Sequence, residues 1–356
     1  MKDNVLITGG AGFIGTNLAE FYLSNNKRVM IYDNFSREGT RENVRWLMER
    51  YPKRLEVVEG DICWMNGEFQ SLVEESEVVF HLAAQVAVTT SVTDPAEDFE
   101  INARGTFKVL EAVRKSVSKP TLLYSSTNKV YGKMDDLAIV ERCNRYTYAD
   151  LESGVPITRP LEFYSPYGCS KGCGDQYVID YARIYGLDTV VFRQSCIYGP
   201  HQFGIEDQGW VAWFAIRAMQ NLPFTIYGDG KQVRDVLYIG DLINAYDAAT
   251  SQIEKTRGKA YNIGGGTANT LSLLELATLL EEQFGTKLTY NFDDWRPGDQ
   301  LVYISDVSQA TEDFSWIPQV TAVEGVANLV DWLSENRVLF SNGSYRKTAS
   351  YRLGVY

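Results

Sequence analysis

Nothing in this sequence of 356 residues is apolar for long enough to span a bilayer, and Met1-Lys2-Asp3 leads straight into a strand-like segment. Neither a membrane anchor nor a signal-like leader is therefore expected, which points to the cytoplasm. Histidine is nearly missing, with only His81 and His201, and the five cysteines (Cys63, Cys143, Cys169, Cys173, Cys196) are odd in number and lack paired spacing. That excludes a disulfide framework and suits a reducing compartment. Cys169 and Cys173 lie one helical turn apart, yet with so few histidines no metal site is expected. Positive charge is also short: 34 Lys and Arg face 46 Asp and Glu, for a formal charge of −12. Such a surface argues against nucleic acid as a partner, and an anionic ligand must be met by a few specific arginines. There are no internal repeats or low-complexity tracts. With 45% hydrophobic residues, the chain can bury a large core and still build a second, smaller unit.

What is present alternates between strand and helix patterns, as in an α/β, Rossmann-type doubly wound parallel sheet. Asn4–Thr8 reads as a buried strand running into Gly9-Gly10-Ala11-Gly12-Phe13-Ile14-Gly15, then an amphipathic helix through Leu18, Ala19, Tyr22 and Leu23. In that pattern Gly9 permits a tight turn, Gly12 lets main chain approach a pyrophosphate, and Gly15 lets helix lie close to strand. A second strand, Arg28–Tyr32, ends at Asp33, placed to bind an adenosine ribose. A carboxylate there disfavours a 2′-phosphate, so NAD is expected rather than NADP, although Arg37 lies close by. Strands at Leu55–Glu59 and Val78–Leu82 bring Asp61 and Ile62 toward the adenine, and Leu82, Ala83 and Ala84 toward the pyrophosphate. Phe13, Ile14, Asn34, Ser36, Asn102 and Ser125 complete the candidate dinucleotide set. Asn102 interrupts the apolar face of a helix read over Phe99–Val117.

Two segments carry the chemistry. Thr121–Ser125 delivers Ser126-Thr127-Asn128-Lys129, and about forty residues later Tyr167-Gly-Cys-Ser-Lys171 puts a phenol and an ammonium on one helix face. Lowering a tyrosine pKa from about 10 to about 7 needs roughly 4 kcal/mol of preference for the anion. One cation at about 6 to 7 Å supplies roughly 2 to 3 kcal/mol at an effective dielectric of about 20, so a second positive charge, an oxidised nicotinamide, is wanted. The pair thus suits hydride transfer at an alcohol.

Beyond a strand at Thr189–Arg193 the alternation gives way to aromatic and glycine-rich stretches, as expected of a smaller mixed α/β substrate-binding lobe. The reading assigns 1–195 and about 236–258 to the NAD-binding domain, about 196–235 and 259–340 to the lobe, and 341–356 to a tail. Gln85, Thr127, Asn128, Lys129, Ser195, Gln208, Trp210, Thr225, Tyr227, Arg234, Arg296 and Asp299 are the substrate candidates. Arg234 and Arg296 suit a clamp on a diphosphate; ion pairs with the nearby Asp235 and Asp299 are the competing reading, and both stay open.

Taken together, Gly9-x-x-Gly12-x-x-Gly15, Asp33, Gly60-Asp61, the Thr127 segment and Tyr167-x-x-x-Lys171 resemble the extended short-chain dehydrogenase/reductase family acting on nucleotide sugars, over nearly the whole chain. Ser125–Gly132, Ser165–Gly172, Asp180–Arg183 and Asp207–Val211 are similar to its CDP-paratose 2-epimerase (CDP-tyvelose 2-epimerase) branch. The resemblance implies NAD held through the cycle, Tyr167 as base, Lys171 on the nicotinamide ribose, and Thr127 on the reacting hydroxyl. It implies oxidation at C2 of a CDP-sugar, CDP-paratose or CDP-glucose, to a 2-keto sugar, rotation, and return of hydride to the other face. Related 4,6-dehydratases carry an aspartate and a glutamate after the threonine, where this chain has Asn128 and Lys129. An amide is no general acid near neutral pH and an ammonium no base, which disfavours dehydration. A UDP-glucose 4-epimerase type of activity and a non-catalytic NAD-binding protein are the alternatives. A homodimer or homotetramer is expected, paired through helices near 99–117 and 167–185.

Overall fold

The computed structural model describes residues 4–296 and 298–341; the tail call on 341–356 falls, apart from Ser341, outside them. Five strands follow one another in the first half of the chain: β1 (Asn4–Thr8), β2 (Arg28–Asp33), β3 (Leu55–Glu59), β4 (Val78–His81) and β5 (Thr121–Thr127). Thr189–Gln194 and Lys259–Ile263 complete a seven-stranded sheet. Its order is Lys259–Ile263, Thr189–Gln194, β5, β4, β1, β2, β3, and every pairing is parallel. Successive residues point to opposite faces, so Val5 and Ile7 enter one buried cluster while Leu6 enters another. Both faces are covered, which is why these strands read as continuous apolar runs.

Two boundaries differ from the sequence reading. Lys259–Ile263, assigned to the lobe, is the edge strand of the large sheet. Ala310, Phe314 and Trp316 likewise pack in the core beneath that sheet, with Trp316 Nε1 donating to Asp241 O at 2.9 Å. The helix read over 99–117 is three segments: α-helical at Pro95–Phe99, π-helical at Glu100–Gly105 and α-helical again at Thr106–Lys115. The wide turn has a cause in packing. A Cβ at Gly105 would lie 2.7 Å from Ile62 Cδ1, and the Asn102 amide is inserted toward the main chain of Gln85.

The lobe is mixed α/β. Phe224–Tyr227 pairs parallel with Tyr290–Asp293, and Val233–Tyr238 pairs with Thr270–Ser272, Val302–Tyr303 and Cys196–Tyr198. Its core gathers Trp213, Phe214, Phe224, Leu276, Leu280, Leu329 and Leu333. No helix among the described residues is long and apolar enough to cross a membrane.

Candidate active site

The strand order reverses beside β1, and in such sheets a crevice opens beyond the carboxyl ends of the strands. There the strand ends and the lobe enclose a cavity of about 500 Å3. Its first wall is main chain. Gly9 has φ +69°, and a Cβ there would lie 2.6 Å from the Ala83 nitrogen; a Cβ at Gly15 would lie 2.5 Å from Gly10 Cα. Gly12 differs. It caps the helix Phe13–Ser24 with no side-chain hydrogen bond, and a Cβ there would meet only Gly9 O, at 3.3 Å. Beyond Gly12 lies the cavity, lined also by Phe13, Ile14 and Gly15, so an uncapped helix N-terminus faces it. That is a cradle for a pyrophosphate: open space, free amides and the positive end of a dipole.

Asp33, Asn34, Ser36, Arg37, Asp61, Ile62, Leu82, Ala83, Ala84 and Ser125 line the same end. Asp33 accepts from the amides of Ala11 (3.0 Å) and Phe35 (2.8 Å), which fix its carboxylate at the tip of β2, while burial raises its pKa. At Asp61 burial also pushes upward, but hydrogen bonds from Asn34 and Cys63 outweigh it and hold the carboxyl below its usual value. Arg37 reaches across to Gln208 Oε1 at 2.8 Å, tying this wall to the lobe. These donors and carboxylates fit a dinucleotide with an unphosphorylated ribose.

Asn102 and Gln85 require a correction, because neither lines the cavity. Asn102 accepts from Gln85 N (3.0 Å) and donates to Gln85 O (2.9 Å) and to Asp98 Oδ1 (3.0 Å). Gln85 Nε2 also donates to Asp98, at 2.9 Å. The two amides hold the turn behind the cavity to the helix segment that follows Asp98.

Where the nucleotide end meets the lobe stand Thr127, Tyr167 and Lys171, all buried and all lining the cavity. Thr127 ends β5. Tyr167 and Lys171 lie in the first turns of Pro166–Tyr185, a helix begun by proline and capped by Ser165 Oγ, which accepts from Gly168 N at 3.0 Å. The Tyr167 amide donates to Ser91 Oγ at 3.1 Å. Behind the triad, the fully buried Asp175 takes two 2.9 Å bonds from Arg193 and one of 2.8 Å from Ser126, locking helix, β5 and neighbouring strand together. In the protein alone, burial dominates both titrations. It pushes Tyr167 up to about 12, against a hydrogen bond with Thr127, and pushes Lys171 down to about 7 despite Asp175 and Asp98. Lys171 Nζ sits 4.3 Å from the centre of the Tyr124 ring. Burial thus opposes the charged form of both groups in the protein alone.

The far wall is made of side chains: Asn128, Lys129, Ser195, Gln208, Trp210, Thr225, Tyr227, Arg234, Arg296 and Asp299 all line it. Arg234 is ion-paired to Asp299 at 2.5 Å and Arg296 to Asp207 at 3.0 Å, with the Arg296 guanidinium 3.9 Å above the Tyr227 ring. Clamp and ion pair are thus compatible, since both arginines are paired within the cavity wall. Asp235 is not their partner; it is fully buried and accepts from the amides of Ser305 (3.1 Å) and Gly266 (3.2 Å) and from Ser195 Oγ. The sequence reading missed Gln202, Gln232 and Glu206. Gln202 and Gln232 are buried with their amide oxygens unpartnered. Gln232 sits two residues before Arg234, so strand periodicity could have found it; Gln202 and Glu206 lie in an irregular loop with no such signal. Among the described residues no cluster could hold a metal ion.

Residues 5–264 match the model of the NAD dependent epimerase/dehydratase family. The CDP-paratose 2-epimerase of Salmonella typhi is 46% identical over 336 residues, covering 93% of this chain and 99% of that protein. Among solved structures, UDP-glucose 4-epimerase from Thermotoga maritima with UDP-glucose aligns with a TM-score of 0.78 and 31% identity, covering 94% of this chain and 99% of that one. UDP-glucuronic acid 4-epimerase from Bacillus cereus, in complex with UDP-glucuronic acid and NAD, aligns with a TM-score of 0.80 and 27% identity over the same shares.

Proposed function

This chain belongs to the NAD dependent epimerase/dehydratase family, and from that membership we propose that it inverts C2 of a CDP-activated hexose, either CDP-paratose to CDP-tyvelose or CDP-glucose to CDP-mannose. It is an NAD-dependent epimerase, an isomerase. NAD, held at the glycine turn and Asp33, would supply the hydride acceptor and donor for the exchange. The protein's own groups handle the proton and the geometry. Tyr167 removes the hydroxyl proton as the carbonyl forms and gives it back when the alcohol is restored. Thr127 Oγ1 hydrogen-bonds the same oxygen, and Lys171, once charged, favours the phenolate over the phenol. Burial of all three excludes water from the exchange.

The observation that carries this reading is the pair after Thr127. Asn128 and Lys129 line the cavity where an eliminating enzyme needs an acid and a base, and neither can serve as a carboxylate. Oxidation and re-reduction at one carbon remain. The 46% identity to a CDP-paratose 2-epimerase supports C2 and cytidine. Two copies pairing through the helices bearing Phe99, Phe107, Tyr177 and Ile184 belong to the same proposal, supported by their exposed apolar side chains.

The test is product analysis by NMR after incubating the purified enzyme with CDP- and UDP-sugars in heavy water. A C2-inverted CDP-sugar retaining its original hydrogen is expected. Solvent deuterium at the inverted carbon, or inversion at C4 of a UDP-sugar instead, overturns the reading. A protein that binds NAD and turns over neither is a non-catalytic member.

A further inference from the structure

We propose that Asp98 is the buried counter-charge of Lys171, a positioning residue that acts from behind the cavity and touches neither substrate nor cofactor. The inference rests on the roles proposed above for Tyr167 and Lys171. Asp98 belongs to the short helix Pro95–Phe99, is 1% exposed and does not line the cavity. Its Oδ2 accepts from Ser170 Oγ at 2.5 Å, and Ser170 is the residue directly before Lys171 on the catalytic helix. Its Oδ1 accepts from Gln85 Nε2 at 2.9 Å and from Asn102 Nδ2 at 3.0 Å. Each of these side-chain donors is neutral. The carboxylate is therefore buried against the catalytic helix with no cation in contact.

Lys171 is the opposite case. It is 3% exposed, and its Nζ has the Tyr124 ring 4.3 Å away but no carboxylate within ion-pair distance among the described residues. Few charged groups face it. Asp175, on the same helix, takes two 2.9 Å bonds from Arg193, so those two charges cancel. Burial holds the other titratable neighbours neutral: Tyr167 is pushed up to about 12, His81 on β4 down to about 3, and Tyr124 on β5 well up. One anion and one cation remain without a partner on the same side of the sheet, and each alone would be strongly unfavourable there. Burial lowers Lys171, and Asp175 and Asp98 oppose it; with Asp175 committed to Arg193, the opposition falls to Asp98. The influence is mutual, since burial raises Asp98 and Lys171 is among the groups that lower it. Without this anion the lysine would lose its proton more readily, and a Tyr167 phenolate would lose its support.

NMR titration of the lysine Cε carbons in the NAD-bound enzyme follows the Lys171 proton directly, with its signal assigned by its loss in Lys171→Met. Asp98→Asn should lower the Lys171 midpoint by about one pH unit, a tenfold loss of proton affinity, because the anion that held the proton is gone. Asp98→Ser, a charge-removing change of different shape, should do the same, and either variant that keeps its NAD suffices. Ser170→Ala removes the hydrogen bond but keeps the charge, so the midpoint should stay within about 0.3 of the parent value. The alkaline limb of the turnover profile should move to lower pH with the midpoint. An unchanged midpoint in the charge-removing variants, or an equal fall in Ser170→Ala, overturns the proposal. The titration needs no substrate. A C4 product in the product assay would therefore sink the C2 reading and leave this result standing, and a non-catalytic protein would show the midpoint fall with no turnover to follow it.

Discussion

The two ends of the cavity are built from different materials. At the dinucleotide end the wall is main chain: Gly9, Gly12 and Gly15, the first amides of Phe13–Ser24, and the tips of β1 to β4. At the sugar-nucleotide end it is long side chains held in pairs, Arg234 with Asp299 and Arg296 with Asp207. Main chain offers fixed donors whose direction follows from the local fold. Paired side chains offer charge that a ligand can rearrange. The first suits NAD, whose pyrophosphate and ribose ask for fixed donors, and the second suits a ligand whose charge must be met and released.

The largest effect is expected where the ends meet. If Tyr167 is the proposed base, Tyr167→Phe removes the group that exchanges a proton with substrate, so turnover should fall by about a thousandfold while calorimetric binding of the proposed ligand CDP changes little. Activity surviving that change would move the base elsewhere and erase the division of labour between the two walls.

The main-chain wall can be tested against itself. Gly15→Ala drives a Cβ to within 2.5 Å of Gly10 Cα and 2.6 Å of Gly9 O, so main chain must shift. A loss of about 2 to 3 kcal/mol in stability, along with the bound NAD, is expected. Gly12→Ala meets only Gly9 O at 3.3 Å. Its folding should change by less than about 1 kcal/mol while the added methyl intrudes on the cradle and NAD is lost on purification. Thermal melts and the absorbance of released dinucleotide read the two separately. Full NAD retention by Gly12→Ala would break the assignment of that wall.

A smaller effect should appear in pH dependence. Lys171 is pushed from 10.5 to about 7 by burial. Between those values the unfolded chain holds a proton that the folded protein lacks, so this residue makes stability rise as pH increases from 7 toward 10.5, and contributes no slope below 7. Lys129, pushed to about 8, adds a slope of the same sign at higher pH. In melts of the dinucleotide-free protein, Lys171→Met should flatten the lower part of that rise. An unaltered slope would mean that the ammonium is solvated, and the cavity wetter than its burial implies.

The same contrast explains what the sequence could disclose. β1 and β3 were legible to their end residues: β1 is a short buried apolar run closed by Gly9, and β3, a half-buried edge strand, is a β-branched run closed by Gly60 and Asp61. Gly9, Gly12 and Gly15 were legible because their spacing is a backbone requirement. Lys259–Ile263 was assigned to the wrong unit because edge-strand membership depends on a pairing with Thr189–Gln194, some seventy residues back, that no local pattern encodes. Arg234 and Asp299 could be named, but their pairing could not, for 65 residues separate them. Asp175 with Arg193 went unread for the same reason.

Asn102 sharpens the boundary between wall and support. A polar side chain in an apolar helical face is what a ligand contact looks like in sequence, yet its amide is consumed by Gln85, Asp98 and Ser170. Asn102→Ala should therefore cost about 1 to 3 kcal/mol of stability, the penalty of stranding buried partners, and change NAD affinity less than about twofold once unfolded protein is discounted. Melting temperature and dinucleotide titration give the two numbers. Asp98 is the reason the prediction has teeth: its carboxylate loses one of three side-chain donors and keeps Ser170 and Gln85, so the turn should loosen without collapsing. A selective loss of NAD at unchanged stability would instead make Asn102 part of the wall, and the dinucleotide end would then depend on a side chain as the other end does.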